Sequence, residues 1–331
     1  MERWTQEAAA KWYEKAGVIR GCNYLPRTAV NSTEMWQAAT FDPKTINEEL
    51  GWAAKAGYNS VRVFLQYLVW EDDAKGLQDR IEQFLAIAGK HGISTMLIFF
   101  CDCAFSGRDP YLGPQADPVI GVPNGGWVPS PGFARVADKS AWPNLEKFVK
   151  DIVGRFANDE RVLIWDLYNE PGNSKMEGKS LPLVDASFAW AREMKPRQPL
   201  TTGTWFEYEK PLQKRFAELS DIISFHAYTD AKEVTRIIEF LQSHGRPIIC
   251  TEWLTRQHGN TFENILPVFR ENKVGWYQWG LVTGRTQTCY QWESKPGDPR
   301  PAVWQHDLFY EDGRPYDPKE IKLVKSFEFG K

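Results

Sequence analysis

Eight short apolar runs, each followed by a stretch of helical periodicity, limit most strongly how this chain can fold. The runs span 18–23, 60–65, 93–100, 162–168, 200–205, 221–225, 247–251 and 275–279. Helical patterns follow at 42–56, 78–91, 142–157, 183–194, a shorter stretch ending at Ala217, 232–244, 262–272 and 318–327. Such alternation predicts a parallel sheet with crossover helices. Eight units favour closure into a (β/α)8 TIM barrel over an open sheet. An open doubly wound sheet would more often carry a Gly-rich phosphate turn after its first strand, and Gly21-Cys22-Asn23 is not one. No linker or composition break interrupts the pattern, so residues 1–331 are expected to form a single domain. Met1 to Lys15 reads as an amphipathic helix with Trp4, Ala8 and Trp12 on one face.

Several function classes are disfavoured. Net charge is -3 with both signs interspersed, which gives nucleic acid no basic stripe. No stretch is long and apolar enough to cross a bilayer, and the polar N-terminus lacks a signal-peptide apolar region. A cytoplasmic location is therefore expected. The five cysteines, an odd number without a dense framework, favour a reducing compartment. Cys101 and Cys103 do not have the spacing of common zinc sites, and no His-x-His pair follows the first strand, so no metal or cofactor is expected.

Two loops are unusually long, 102–139 after the third strand and 282–316 after the eighth. They are rich in Gly, Pro and aromatic residues, which favours a functional role.

In such a barrel the active site lies at the C-terminal ends of the strands. The polar and aromatic residues there are Asn23, Arg62, Asp102, Asn169, Glu170, Trp205, His226, Tyr228, Glu252 and Trp279. Two stand out. Val162 to Leu167 runs into Asn169-Glu170-Pro171, and Pro247 to Cys250 runs into Thr251-Glu252-Trp253. Pro171 biases Glu170 toward an extended or turn conformation. Carboxylates are rarely buried without a partner or a task, and two at the same rim suit paired acid–base and nucleophilic work.

These motifs resemble the two catalytic motifs of the retaining (β/α)8 glycoside hydrolases, and the chain is most similar to glycoside hydrolase family 5, the cellulase and mannanase family. Arg62, His226-Ala227-Tyr228 and Trp279 fall where that family places supporting residues. The resemblance implies a carbohydrate substrate, β-glycosidic bond cleavage by double displacement, Glu170 as general acid/base and Glu252 as nucleophile. It implies that Arg62 and Tyr228 hold Glu252 ionised and that Asn169 bonds the sugar 2-hydroxyl. His226 would donate to the substrate or to Glu252, and Trp279 would form the floor under the reacting sugar. Repulsion between the two carboxylates is expected to keep Glu170 protonated. Trp36, Trp127, Trp205, Trp292 and Trp304 are further candidate platforms, and Asn23, Glu34, Asp102 and Glu207 candidate sugar ligands. In one place the chain departs from the family. Where many members carry a His after the third strand, this sequence reads Phe100-Cys101-Asp102-Cys103. With the two long loops, this points to a short substrate or an exo-acting pocket. A transglycosylase would use the same residues, and a non-catalytic carbohydrate-binding barrel would keep the tryptophans without needing both glutamates.

Overall fold

The computed structural model describes residues 2–205, 207, 208 and 210–330. Its strands are β1 (Arg20–Asn23), β2 (Ser60–Phe64), β3 (Ser94–Cys101), β4 (Val162–Asn169), β5 (Leu200–Thr201), β6 (Gly203–Thr204), β7 (Ile223–His226), β8 (Ile248–Glu252) and β9 (Gly275–Gln278). All pairings are parallel, in the order β5-β4-β3-β2-β1-β9-β8-β7-β6. This is the expected (β/α)8 barrel with its fifth stave split. β5 pairs with β4 and β6 with β7, so the barrel closes through the chain itself at Thr202, whose hydroxyl donates to the Tyr168 carbonyl.

Local signals set most helix ends. Asp42 caps the helix Pro43–Lys55 by accepting from the Thr45 amide, and Pro43 fills its first turn. Asp73 does the same for Ala74–Lys90, which therefore begins four residues earlier than the periodicity alone indicates. A short helix, Tyr67–Asp72, escapes a periodicity reading because it is barely two turns long.

The barrel interior is filled in layers. At the bottom Ile19, Met96, Ile164, Ile222, Ile249 and Tyr277 pack together. Tyr277 fits because Gly21 has no side chain: a Cβ there would sit 2.2 Å from the ring. The N-terminal helix α1 (Gln6–Ala16) covers this layer with Ala9, Trp12 and Tyr13, joined by Trp4 just before it. The inward small residue is thus Ala9, whereas Ala8 is exposed, and Met1 lies outside the described residues. A second, larger core fills the space between strands and helices. Each fully buried large aliphatic or aromatic side chain there contributes about 1.5–3 kcal/mol. With both ends of the strands fixed, the upper rim becomes a rigid mount for polar groups. No helix among the described residues is long and apolar enough to cross a membrane.

Candidate active site

Strand register brings the rim residues together. Asn23 pairs with Arg62, Cys101 with Asn169 and His226 with Glu252. Glu170 follows β4 with φ +46°, a left-handed conformation uncommon for a residue with a side chain. Backbone strain of this kind concentrates at functional sites. One donor or acceptor atom from each of Glu170, His226 and Glu252 lies within 4.8 Å of the others.

Arg62 sits under this group, fully buried. Its guanidinium donates to Glu252 Oε1 at 2.8 Å, to Asp166 Oδ2 at 2.8 and 3.1 Å, to Asn169 Oδ1 at 2.6 Å and to Asn23 Oδ1 at 2.7 Å. Burial works against its charge, but Asp166 and Glu252 more than offset that and raise its pKa. The Tyr228 hydroxyl donates to Glu252 Oε2 at 2.9 Å, so both oxygens of Glu252 are held.

Glu170 has its own donors. Its Oε1 lies 2.7 Å from His226 Nδ1, and its Oε2 accepts from Asn173 Nδ2 at 2.6 Å and from the Cys103 thiol at 3.1 Å. Burial pushes the carboxyl up, but His226, then Cys103 and Asn173, hold it below the usual range. Glu252 moves the other way. Burial and the Glu170 charge raise it above the usual range, despite opposing contributions from His226 and Arg62. Repulsion between the carboxylates therefore lifts Glu252, whereas Glu170, expected from the sequence to be the one kept protonated, is lowered. The physical reason is the number of donors that face Glu170. Glu170 and Glu252 are close enough that their titrations belong to the pair.

Above these residues opens a cavity of about 450 Å³. It is lined by Asn169, Glu170, Tyr228 and Glu252, with Trp127, Trp205, Trp279 and Trp292 around them. The two long loops form one wall and are tied to each other. Gln287 Nε2 donates to the Val119 carbonyl at 2.7 Å, its Oε1 accepts from the Gly121 amide at 3.1 Å, and the Asn124 amide donates to the Thr286 carbonyl at 2.7 Å. The Gly297 amide donates to the Ile120 carbonyl at 2.8 Å. Among the described residues, Glu170, His226 and Glu252 are the trio placed to ligate a metal, but Arg62 and Tyr228 already occupy both oxygens of Glu252.

The cellulase (glycosyl hydrolase family 5) family model matches residues 26–295. The chain belongs to glycoside hydrolase family 5. It is a glycoside hydrolase by that membership. No curated protein matches it. Among solved structures it is similar to an exo-β-1,4-mannosidase from Opitutaceae bacterium strain TAV5, at 16% identity and TM-score 0.66. That alignment covers 93% of this chain and 59% of the mannosidase chain, so this chain spans well under two thirds of that protein. It is also similar to a GH5_18 protein from Streptomyces cattleya in complex with Manβ1-4GlcNAc, at 10% identity and TM-score 0.64, covering 93% and 80% of the two chains. An endo-β-1,4-mannanase from Thermotoga petrophila aligns at 12% identity and TM-score 0.59, covering 94% and 76%.

Within this family 5 barrel, several residues picked out in the sequence lie away from the cavity. Trp36 is fully buried, stacked on Phe41 and packed edge-on to Phe84, so it is a core residue and no sugar platform. Trp304 is buried against Tyr310 and Tyr316. Asn23 turns its amide onto the Thr251 and Gln278 carbonyls and serves Arg62 from below. Glu34 pairs with Arg285 and caps the Val30 amide. Asp102 accepts from Tyr168, Ser180 and the Gly172 amide, with burial raising its pKa to about 6, and so anchors the loop after β4. Glu207 is exposed beside Trp205, in ion contact with Lys210.

Three neighbours escape the sequence reading, Asp166, Asn173 and His306, and Cys103 entered it only as part of the departure from the family pattern. Asp166 had a signal, a carboxylate within an apolar strand. His306 lines the cavity from the last long loop and donates from Nδ1 to the Leu254 carbonyl. Burial lowers its pKa to about 3, so it is neutral and leaves Nε2 as an acceptor. Nothing local distinguishes it in the sequence.

Proposed function

We propose that this chain, read as one catalytic domain, is an exo-acting retaining β-glycosidase that removes terminal mannose from short β-linked oligosaccharides. Glu252 is the nucleophile and Glu170 the acid/base. The observation that supports the mechanism best is the spacing of the Glu170 and Glu252 carboxylate oxygens, within 4.8 Å. Retaining enzymes hold their carboxyls about 5–5.5 Å apart, whereas inverting enzymes need about 6.5–9.5 Å to admit a water.

Each step follows from the contacts. Glu252, aimed by Arg62 and Tyr228, forms a bond to the anomeric carbon as the glycosidic C–O bond breaks. Glu170 gives its proton to the leaving oxygen. The ester neutralises Glu252, and Glu170, now ionised and held by His226 and Asn173, takes a proton from water as that water displaces Glu252. On this reading Trp279 offers an aromatic face to the C–H face of the sugar, and Asn169 is the residue that bonds its 2-hydroxyl.

The tied loops favour exo action, because they wall the cavity where an open cleft would let a long chain pass. Mannose is favoured by the similar structures, of which one is named a mannosidase, one a mannanase and one is in complex with Manβ1-4GlcNAc. The test is intact-mass analysis after incubation with 2-deoxy-2-fluoro-β-mannosyl fluoride, which forms the ester but hydrolyses it slowly. One adduct mapping to Glu252 is expected. An adduct on another residue would overturn the assignment, and labelling only by oligosaccharide fluorides would overturn the exo reading.

A further inference from the structure

We infer that Cys103 is a positioning residue for the acid/base: its thiol donates to Glu170 Oε2 and stabilises the carboxylate that forms as the proton leaves. The inference rests on the assignment of Glu170 above.

Several observations point the same way. The Cys103 sulfur lies 3.1 Å from Glu170 Oε2 and the residue is 5% exposed, at the edge of the cavity. The contact is held from both sides. The Cys103 amide donates to Cys101 Sγ at 3.4 Å, and Asn169 Nδ2 points at both sulfurs, at 3.3 and 3.6 Å. Asn169 is itself fixed by Arg62. The thiols therefore join the amide beside Glu170 to the carboxyl of Glu170, where the sequence replaces the expected imidazole by Cys-x-Cys.

The chemistry suits this place. A thiol is a weak donor with no charge. Its neighbour Cys101, burial and the nearby carboxylates raise the Cys103 pKa far above neutrality, so it stays a donor through the working range. An imidazole would add a second basic ring beside Glu170, where His226 already provides one. A thiol adds a hydrogen bond without one, and its benefit grows as negative charge develops on Glu170.

Other charged groups also face Glu170. They are His226 from β7, Glu252 from β8 with Arg62 beneath it, Asp102 after β3, and the phenols of Tyr208 and Tyr228. The test must separate Cys103 from these and from mere packing. Dinitrophenyl leaving groups need no proton in the first step, whereas a disaccharide does.

The experiment compares kcat/KM for β-1,4-mannobiose and 2,4-dinitrophenyl β-mannoside, across pH, in the wild type, Cys103→Val, Cys103→Ser and Glu170→Ala. Cys103→Val keeps the volume and removes the donor. Its expected loss is about tenfold on the disaccharide and less than about twofold on the dinitrophenyl glycoside. Removing a donor to the carboxylate raises the Glu170 pKa, so the limb that Glu170→Ala abolishes moves up by about one pH unit. Cys103→Ser restores a donor and should recover at least half of the disaccharide activity and the original limb. Equal losses on both substrates, or no loss and an unmoved limb, would overturn the role of Cys103. If Cys103→Val does not fold, the serine variant decides: a disaccharide-selective loss of more than about tenfold with an unmoved limb overturns the role, and recovery supports it. A wild type inactive on both substrates would instead overturn the glycosidase reading, and a Glu170→Ala variant without leaving-group dependence would overturn its acid/base assignment.

Discussion

Arg62 donates to Glu252 at 2.8 Å while the same guanidinium binds Asp166 at 2.8 Å, so one buried cation serves a candidate nucleophile and a structural carboxylate at once. The two partners make different demands. Arg62→Lys keeps a charge but loses the planar fork that spans both carboxylates. Its expected effect is a kcat loss of about a hundredfold with a modest fall in melting temperature. Arg62→Ala leaves Asp166 buried and unpaired, which costs about 3–5 kcal/mol of stability. Thermal denaturation alongside steady-state kinetics separates the two losses, and equal activity in the wild type and Arg62→Lys would remove Arg62 from the nucleophile's support.

Glu170→Ala is expected to spare the first step on dinitrophenyl glycosides while slowing release of the enzyme-bound sugar. Added azide should restore turnover and yield a β-glycosyl azide, because a small anion needs no general base. Detection is by burst kinetics and by identification of the azide product. Glu252→Ala should show none of this.

The contacts of His226 give a signed pH prediction. His226 lowers both Glu170 and Glu252. Removing it in His226→Ala therefore raises both, and both limbs of the kcat/KM profile should move to higher pH. Movement of either limb to lower pH contradicts the arrangement.

Asp307 offers a test of stability away from the chemistry. It is fully buried, accepts from Thr288 on one oxygen, has no hydrogen-bond partner for the other among the described residues, and burial raises its pKa to about 7. A raised carboxyl contributes stability below its unfolded pKa, and that contribution is lost as pH rises through about 7. Asp307→Asn removes the cost of the buried charge. It should be more stable than the wild type at pH 8–9, on the order of 2 kcal/mol, with little difference near pH 4. Urea unfolding at the two pH values measures it, and a pH-independent difference would contradict the buried charge.

Gln287 ties the two long loops through both ends of its amide. Gln287→Ala should loosen the wall and raise KM for a disaccharide several-fold while changing kcat less. Product analysis with a longer β-mannan oligosaccharide should then show internal cleavage that the wild type lacks.

Much of the barrel was legible in the sequence because each βα unit has a local cause. Apolar runs of strand length, the capping aspartate at 42 and helix-ending glycines act over a few residues. The two glutamates were legible because a carboxylate after an apolar strand is chemically out of place unless it has a task. The pairing of Arg62 with Asp166 was not, because a strand pattern marks each charge as odd without saying which distant charge answers it.

What the sequence by itself determined is the alternation, and with it the end of the barrel at which Asn169, Glu170, His226, Tyr228 and Glu252 emerge. Tertiary structure alone decided which aromatic residues face the cavity. Trp36 is buried in the core and Trp205, Trp279 and Trp292 line the pocket, although all are tryptophans in or beside loops. It alone also decided that two thiols, Asn173 and His226 converge on Asn169 and Glu170. The reason is range. Secondary structure follows from neighbours in sequence, whereas a protonation state follows from every group within several ångströms, whatever part of the chain supplies it.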